Sequence, residues 1–332
     1  MANELKTLQE AIVYFSDPDR CREYFVARRW PEGVSCPRCG SVNVKFQPKH
    51  NRWQCSSHHD LRQFTCKTGT IFEESPITLD KWMLAMWMIC NCKNGVSSYK
   101  VHRAIGVTQK SAWFMLHRIR LAMKNGSIMK LGTEGGPVEA DETFVGPDPR
   151  RMHKSRRARI LAIAGNDRSK NQRAPGKTIV MGMLDRNMRQ VRTMVIPDVK
   201  RTTLQEKILN NVEAGAHIIT DDFPSYKYAL ADKFAHDVIN HVEGYVNGQI
   251  HTNGIENYWS LFKRTLRGTY VAVEPFHLDR YADEQAFRFN NRGSKEKPVN
   301  DGQRFDTLLS QVAGRRVTYN ELTGKVGLSE NL

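Results

Sequence analysis

The apolar pattern of this chain changes from helical to strand-like across one glycine-rich segment, Gly132 to Pro137. Beyond that segment, three successive strands are predicted at residues 138–145, 178–184 and 191–196. A helix capped at Thr202 or Thr203 and running through Val212 follows. Two more strands and two helices are then predicted at residues 216–220, 237–241, 254–266 and 276–289. Consecutive strands followed by alternating helices and strands predict an α/β domain with a mixed sheet and flanking helices.

The helix predicted at residues 254–266 carries an acid and a base on one side. Its apolar face has the i, i+3, i+4, i+7 spacing and consists of Ile255, Tyr258, Trp259 and Phe262. Glu256 and Lys263 lie seven residues apart, about two turns, and therefore project from nearly the same side. An acid and a base are thus expected to face one site.

Two acidic pairs upstream of this helix end or interrupt apolar segments: Asp141-Glu142 and Asp221-Asp222. Carboxylates at strand ends, together with one from a helix, can hold two divalent metal ions that stabilise the attacking and leaving oxygens of a phosphoryl transfer. Because successive strand residues point to opposite faces, only one member of each pair can easily reach a common metal pair. These features predict a metal-dependent nuclease or strand-transfer site.

Cysteine spacing predicts a zinc site near the N-terminus. A Cys-x-x-Cys knuckle at residues 36–39 is followed by Gly40, which permits a tight turn. A second knuckle is expected after a short hairpin, so that the candidate ligands are Cys36, Cys39, Cys55 and His58 or His59, with Cys66 as the alternative fourth ligand. Four protein ligands predict a structural zinc ion. Seven cysteines, an odd number in a chain without an export signal, also disfavour a disulfide framework.

A DNA-reading module is predicted between the zinc site and the glycine-rich segment. Residues 80–92 carry a wide apolar stripe typical of a core helix. Residues 97–113 then fit a helix, a turn at Gly106, a cap at Thr108 and a second helix. In a helix-turn-helix the second helix enters the major groove with its first residues on the bases, here Gln109, Lys110 and Ser111. The same pattern also occurs as plain helical packing.

The charge of the chain favours a polyanionic partner. Its formal net charge is +15, and the basic residues are spread along the sequence. Residues 150–173 are dense in Arg and Lys and predict a solvated loop that could clamp a phosphate backbone, through Arg150, Arg151, Arg156 and Arg157. With no signal core and no apolar run near 20 residues, a cytoplasmic, nucleoid-associated protein is expected.

The motifs together resemble those of the IS1595 family of insertion-sequence transposases, whose catalytic region is the ISXO2-like domain. Any one motif is weak, but their order and number across about residues 20 to 292 make the resemblance specific. The matching segments are residues 36–40, 62–64 with 67–73, 80–82, 138–146, 220–221 with Tyr226, and 251–256 with Trp259 and 263–264.

The resemblance implies an RNase H-like catalytic domain. Its triad would be Asp141, Asp221 and Glu256, followed by Lys263, and would bind two Mg²⁺ or Mn²⁺ ions. The spacing 256 − 221 = 35 is similar to that of many transposases and integrases. The family often has Cys-x-x-Cys at the second knuckle, and its register here selects His59, although His58 stays possible. Many relatives have Asn at the third acidic position, so Glu256 favours a competent enzyme.

The expected organisation is a helical lead-in, a zinc ribbon, a helix-turn-helix domain, the catalytic domain and a C-terminal tail, at residues 1–30, 31–76, 77–131, 132–292 and 293–332. The expected partners are double-stranded DNA, as terminal inverted repeats and target, and a second copy of the chain in a homodimer or larger assembly. Two rival functions remain at this point. One is an RNase H-type nuclease that cuts without joining, and the other is a transposase-derived, zinc-dependent DNA-binding regulator without catalysis.

Overall fold

The computed structural model divides the chain into two compact units, residues 1–124 with 291–332 and residues 125–290. The predicted lead-in and zinc ribbon lie in the first unit, as does the predicted helix-turn-helix domain up to residue 124, whereas its residues 125–131 belong to the second unit. Within the described ranges, no helix is both long and apolar enough to cross a membrane. The structure describes residues 5–124, 126, 129–133, 135–146, 153–155, 157–158, 162, 176–227, 234–239 and 251–324.

The first unit begins with two short helices, α1 (Leu8–Phe15) and α2 (Pro18–Arg29). Asp17 caps α2, because its carboxylate accepts the backbone N–H groups of Asp19 and Arg20. A three-stranded antiparallel sheet follows, in the order β1 (Val44–Gln47), β2 (Arg52–Cys55) and β3 (Gln63–Phe64). The hairpin expected between the two zinc knuckles is therefore present.

Three further helices follow the ribbon: α3 (Leu79–Asn91), α4 (Ser98–Ile105) and α5 (Gln109–Met123). The wide apolar stripe predicted for α3 is buried, with Trp82, Met83 and Met86 fully inside. Ser97 and Thr108 cap α4 and α5 by accepting backbone N–H groups. The predicted order of helix, glycine turn, threonine cap and helix is confirmed as local structure.

The second unit is built on a five-stranded sheet in the order β6-β5-β4-β7-β8. Strand β5 is antiparallel to β4 and β6, whereas β4, β7 and β8 are parallel to one another. Hence β5 runs opposite to the other four strands. The predicted mixed sheet is confirmed, and its strands are β4 (Val138–Val145), β5 (Thr178–Asp185), β6 (Gln190–Ile196), β7 (His217–Asp221) and β8 (Ala235–Ile239).

Helices cover both faces of this sheet: α6 (Arg201–Asn211), α7 (Pro224–Lys227), α8 (Asn253–Thr265) and α9 (Leu278–Asn290). The predicted cap of α6 at Thr202 or Thr203 is wrong, since Lys200 is the N-cap. Asp198 explains the difference, because its Oδ1 accepts both the Lys200 N–H and the Thr203 hydroxyl, at 3.1 and 2.6 Å. Helix α8 continues into a π-helical turn at Leu266–Tyr270.

Side chains of β4 alternate between two cores. Val138 and Ala140 belong to the core on the α6 side, with Leu204 and Tyr226. On the other side, α8 and α9 pack on β5 through Val180, Leu184, Tyr258, Phe262 and Leu278. Period-2 alternation therefore places Glu139 and Asp141 toward α8, and Glu142 toward α7.

The C-terminal residues complete the first unit as α10 (Asp301–Ser310) and α11 (Tyr319–Leu322). This differs from the expected weakly patterned tail after residue 293. A capping box between Asn300 and Gln303 starts α10. Phe305, Leu308 and Val312 are buried at the i, i+3, i+7 spacing, which polar neighbours obscure in the sequence.

Candidate active site and zinc centre

Asp141 and Asp221 lie on neighbouring parallel strands and on the same face of the sheet. The register pairs Val138 with Ile218 and Glu139 with Ile219, so two residues further along each strand both carboxylates face α8. Helix α8 carries Glu256 in its first turn. The three carboxylates therefore approach one region on the α8 side of the sheet. Their residues are up to 115 positions apart in sequence, 256 − 141.

The pKa of the Asp141 carboxyl reflects the proximity of the three carboxylates. Burial raises the pKa of its carboxyl to about 6, and the negative charges of Asp221 and Glu256 act in the same direction. Hydrogen bonds from the Glu142 N–H, at 2.8 Å, and the Trp259 indole, at 3.0 Å, act against that rise. A group of like charges whose ionised forms disfavour one another is stabilised by a bound cation. The donor set is all carboxylate oxygen, which suits Mg²⁺ or Mn²⁺.

The other members of the acidic pairs are set apart. Glu142 accepts a hydrogen bond from the hydroxyl of Tyr226, a fully buried residue in the core on the α6 side. Burial raises the pKa of Glu142 to about 8, so this carboxyl is largely protonated at neutral pH. Asp222 is exposed. Each pair thus places only one carboxylate on the α8 face, Asp141 in the first pair and Asp221 in the second.

Lys263 lies two turns beyond Glu256 on α8. Burial lowers the pKa of its ammonium, and the positive charges of Arg267 and Lys177 also lower it, whereas Asp141 raises it. Lys263 therefore lies within electrostatic range of Asp141. Together with Arg267 it lines a cleft of about 450 Å³ beside the carboxylates.

A buried ion pair that the sequence reasoning missed holds the start of α8. Glu139 is 1% exposed, and its carboxylate accepts the Ile255 N–H at 2.7 Å and the Arg186 guanidinium at 2.6 Å. Arg186 also donates to the carbonyl of His251. Because the helix start is fixed through Glu139, the position of Glu256 one residue after Ile255 is fixed as well. The signal was available, since strand alternation places residues 139 and 141 on one face.

Two glycines allow α8 to approach the sheet closely. A Cβ atom on Gly182 would lie 2.6 Å from the Trp259 ring, and one on Gly254 would lie 2.4 Å from Leu184. Gly182 is paired with Asp141 across β4 and β5. The indole of Trp259 therefore lies against Gly182 and reaches the Asp141 carboxylate. A glycine inside a strand is the sequence signal for such an approach.

A second cluster of metal-type ligands lies in the first unit. Among the described residues, Cys36, Cys39, Cys55 and His59 form the one group of three or more potential ligands whose atoms all lie within 4.8 Å of each other. Three sulfurs and one imidazole nitrogen match the ligand set of structural zinc sites.

The contacts of His59 define its orientation in this cluster. Its Nε2 lies 3.5 Å from the Cys36 sulfur, and its Nδ1 lies 2.7 Å from the Asp60 carbonyl. Engagement of one ring nitrogen by a carbonyl is typical of a histidine that binds metal through the other. The alternative ligands His58 and Cys66 are outside the cluster.

The predicted DNA-contacting residues differ in accessibility. Gln109 is half-buried and donates to the Ser98 hydroxyl at 2.9 Å, and Ser111 accepts from the Thr108 hydroxyl at 2.8 Å. Lys110 is exposed, with its ammonium 4.7 Å from the centre of the Tyr319 ring. Arg157 is also exposed, whereas Arg150, Arg151 and Arg156 lie outside the described residues.

Comparison with known proteins identifies two domains in the chain. Residues 134–290 match the ISXO2-like transposase domain, and residues 16–68 match the transposase zinc-ribbon domain. The "Uncharacterized protein in transposable element ISH50" of Halobacterium salinarum is 27% identical over 243 residues, 72% of this chain and 79% of the relative. An "Uncharacterized transposase-like protein" of Haemophilus influenzae is 32% identical over 108 residues, 32% of this chain and 87% of the relative.

Among solved structures, similarity extends to the simian T-cell lymphotropic virus intasome in complex with PP2A regulatory subunit B56 gamma. The match has 14% identity and a TM-score of 0.28, and covers 62% of this chain and 64% of that chain. A TM-score this low does not establish a shared fold.

Proposed function

The chain belongs to the IS1595 family of transposases, and on this premise we propose that it is a DDE-type transposase. It binds the terminal inverted repeats of its insertion sequence and catalyses metal-dependent DNA cleavage and strand transfer. The observation that carries this proposal is the convergence of Asp141, Asp221 and Glu256 on one face of the sheet. The sheet order, in which only β5 of the five strands runs opposite to the rest, supports an RNase H-like catalytic domain.

Asp141, Asp221 and Glu256 would hold two Mg²⁺ or Mn²⁺ ions, which when bound activate the attacking oxygen and stabilise the leaving oxygen. Trp259 orients the Asp141 carboxylate through its indole N–H, and Glu139 fixes the start of α8 and with it Glu256. Lys263, partly buried near Asp141, contacts a DNA phosphate.

The reaction has two phosphoryl-transfer steps. Water attacks the phosphodiester at the element end, and the bond to the 3′ oxygen breaks to leave a 3′-hydroxyl. That hydroxyl then attacks a phosphodiester of the target, which joins the element end to target DNA and releases one target strand as the leaving group. Neither step requires a covalent bond between protein and DNA.

The N-terminal unit supplies recognition in this proposal. Cys36, Cys39, Cys55 and His59 bind a structural zinc ion that holds the ribbon together. The ribbon and the α4–α5 helix-turn-helix read the terminal repeats, with the exposed Lys110 on a phosphate or base edge. Joining two element ends requires at least a homodimer during the reaction.

The test measures cleavage and joining of labelled duplexes that carry the ends of the flanking genomic element, in Mg²⁺ and in EDTA. Wild type is compared with Asp221→Asn and with Asp222→Asn, a matched control that removes the exposed neighbouring charge. We expect wild type and Asp222→Asn to cut and join in Mg²⁺, and Asp221→Asn to bind the ends without cutting. If all three proteins bind the ends and none cuts, the enzymatic function is refuted and a DNA-binding regulator is the better account.

A further inference from the structure

The cleft beside Lys263 has a composition that the two phosphoryl-transfer steps do not require. Its volume of about 450 Å³ is within the range of pockets that bind small organic ligands. Most of its wall is apolar, including Phe144, Val145, Leu266 and Val273. A phosphate group would lose its hydration against such a wall, so the cleft suits a flat, largely apolar group.

Two cations stand on one wall of the cleft. Lys263 and Arg267 are four residues apart, about one helical turn, and therefore neighbour each other on the helix surface. Lys177 lies close enough to lower the pKa of the Lys263 ammonium. Glu274 also lines the cleft, so the two cations leave a net positive charge beside an apolar cavity. This combination matches a nucleotide, which joins a planar base to an anionic phosphate.

The rim of the cleft is strained and apolar. Val271 is 82% exposed and has φ 59° and ψ −57°, a conformation that β-branched residues rarely adopt. It directly follows the π-helical turn at Leu266–Tyr270, and its N–H bonds to the Leu266 carbonyl at 2.8 Å. Backbone strain and π-helical turns both cluster at functional positions. An exposed apolar residue held in this way can act as a wedge between stacked bases.

We infer that the cleft receives one unstacked base of the nucleotide next to the reacting phosphodiester. Lys263 and Arg267 contact the phosphate of that nucleotide, and Val271 packs against the base that remains stacked beside it. Extrusion of the base draws the adjoining phosphodiester toward Asp141, because Lys263 lines the cleft and lies within electrostatic range of Asp141. This inference rests on the proposed function and names a substrate position within it.

The first experiment fills the cleft and then removes the base that would occupy it. Ala272→Trp places an indole in the cleft, and Glu206→Trp, on an exposed surface of α6, is the matched control. Element-end duplexes carry a single abasic nucleotide at each position around the cut. We expect Ala272→Trp to cleave intact DNA about tenfold more slowly than wild type, as expected for loss of one stacked base. At one abasic position its rate should return to the wild-type rate on the same DNA.

The second experiment detects the base directly and does not depend on cleavage. 2-Aminopurine replaces the base at the rescued position, or at each position next to the cut, and fluorescence is measured on binding in the Asp221→Asn background. Fluorescence should rise on binding and the rise should be lost with Ala272→Trp. It should also weaken with Val271→Gly, a substitution that relieves the backbone strain and therefore preserves folding.

Absence of rescue at every abasic position, together with equal fluorescence for the cleft variants and their background, overturns the inference. Failure of the proposed function gives a different pattern, in which wild type does not cleave any of the duplexes. The fluorescence measurement remains informative in that case, because it requires only binding. A fluorescence rise that Ala272→Trp leaves unchanged contradicts the cleft as the site of the base.

Discussion

The zinc-type cluster and the carboxylate site use metal ligands in opposite ways. The four zinc-type ligands come from 24 consecutive residues, 36 to 59, and their atoms lie within 4.8 Å of each other. The three carboxylates come from two strands and a helix up to 115 residues apart. Packing and the hydrogen bonds of Trp259 and Glu139 set their positions. We therefore expect the first arrangement to need a metal ion to stay folded, and the second to keep its geometry without one.

The largest expected effect comes from removing a zinc ligand. Cys36→Ser should reduce the zinc content from about one ion per chain to near zero and unfold the ribbon, since zinc contributes on the order of 10 kcal/mol to such folds. Zinc analysis and circular dichroism with a chelator titration measure this result. Cys92→Ser, which lies outside the cluster, should leave zinc content and melting unchanged. If Cys36→Ser melts like wild type, the ribbon does not depend on metal.

A large but purely structural effect is expected for Glu139→Ala in the second unit. This change removes the buried carboxylate that accepts from the Arg186 guanidinium and from the Ile255 N–H, at a cost of about 3–5 kcal/mol. Asp221→Asn should instead keep or slightly raise stability, because it removes a like charge beside Asp141. Urea unfolding of both variants distinguishes Glu139, which supports the fold of the site, from Asp221, the proposed metal ligand. Equal destabilisation by both would contradict this division.

The raised pKa of Asp141 also predicts that the free energy of unfolding depends on pH. The folded-state pKa of Asp141, about 6, is above its unfolded value, so its stabilising contribution is full below about pH 4 and is lost as pH rises through 6. Metal-free protein should therefore lose roughly 3 kcal/mol over this range relative to Asp141→Asn. Saturating Mg²⁺ should reverse the loss, which denaturant titrations at several pH values test. A flat difference between the two proteins would show that Asp141 is not perturbed.

The smallest expected effect concerns orientation within the carboxylate site. Trp259→Phe removes the indole hydrogen bond to Asp141 and should lower stability by about 1 kcal/mol. Because that bond lowers the pKa of Asp141, the rise of cleavage with pH should move to higher pH. The pH profile of cleavage at saturating DNA measures the shift. An unchanged profile would mean that Trp259 only packs.

The same contrast explains how much could be predicted from sequence. The zinc cluster and the five strands follow from short-range signals, namely knuckle spacing and apolar patterning. His59 was favoured over His58 only by family register, and the Asp60 carbonyl gives the physical reason. The contacts that support α8 are long-range. Glu139 binds Arg186, 47 positions away (186 − 139), and the Ile255 N–H, 116 positions away (255 − 139). Strand alternation places Glu139 on the same face as Asp141, but no local pattern reports which distant residues it contacts there.

Two other predictions, for the cap of α6 and for the C-terminal residues, differ from the structure because neighbouring residues concealed the relevant sequence pattern. The threonines near α6 resembled caps, but Asp198 binds the Thr203 hydroxyl and Lys200 occupies the cap position. In α10, charged and polar neighbours concealed the spacing of Phe305 and Leu308, so that a core helix was interpreted as a tail. For the acidic pairs, strand alternation places Asp141 and Glu142 on opposite faces, and only the resemblance to the family selects Asp141 and Asp221.

The central claim is that the carboxylates of separate elements form one catalytic site for strand transfer. The direct measurement gives wild type and Glu256→Gln a pre-cut element end bearing a 3′-hydroxyl, with a second duplex as target, in Mg²⁺. The account predicts that wild type joins the two DNAs, and that Glu256→Gln binds the end with equal affinity but does not join it. Joining by Glu256→Gln at the wild-type rate, or a wild type that cuts uncut ends but never joins pre-cut ones, would contradict it.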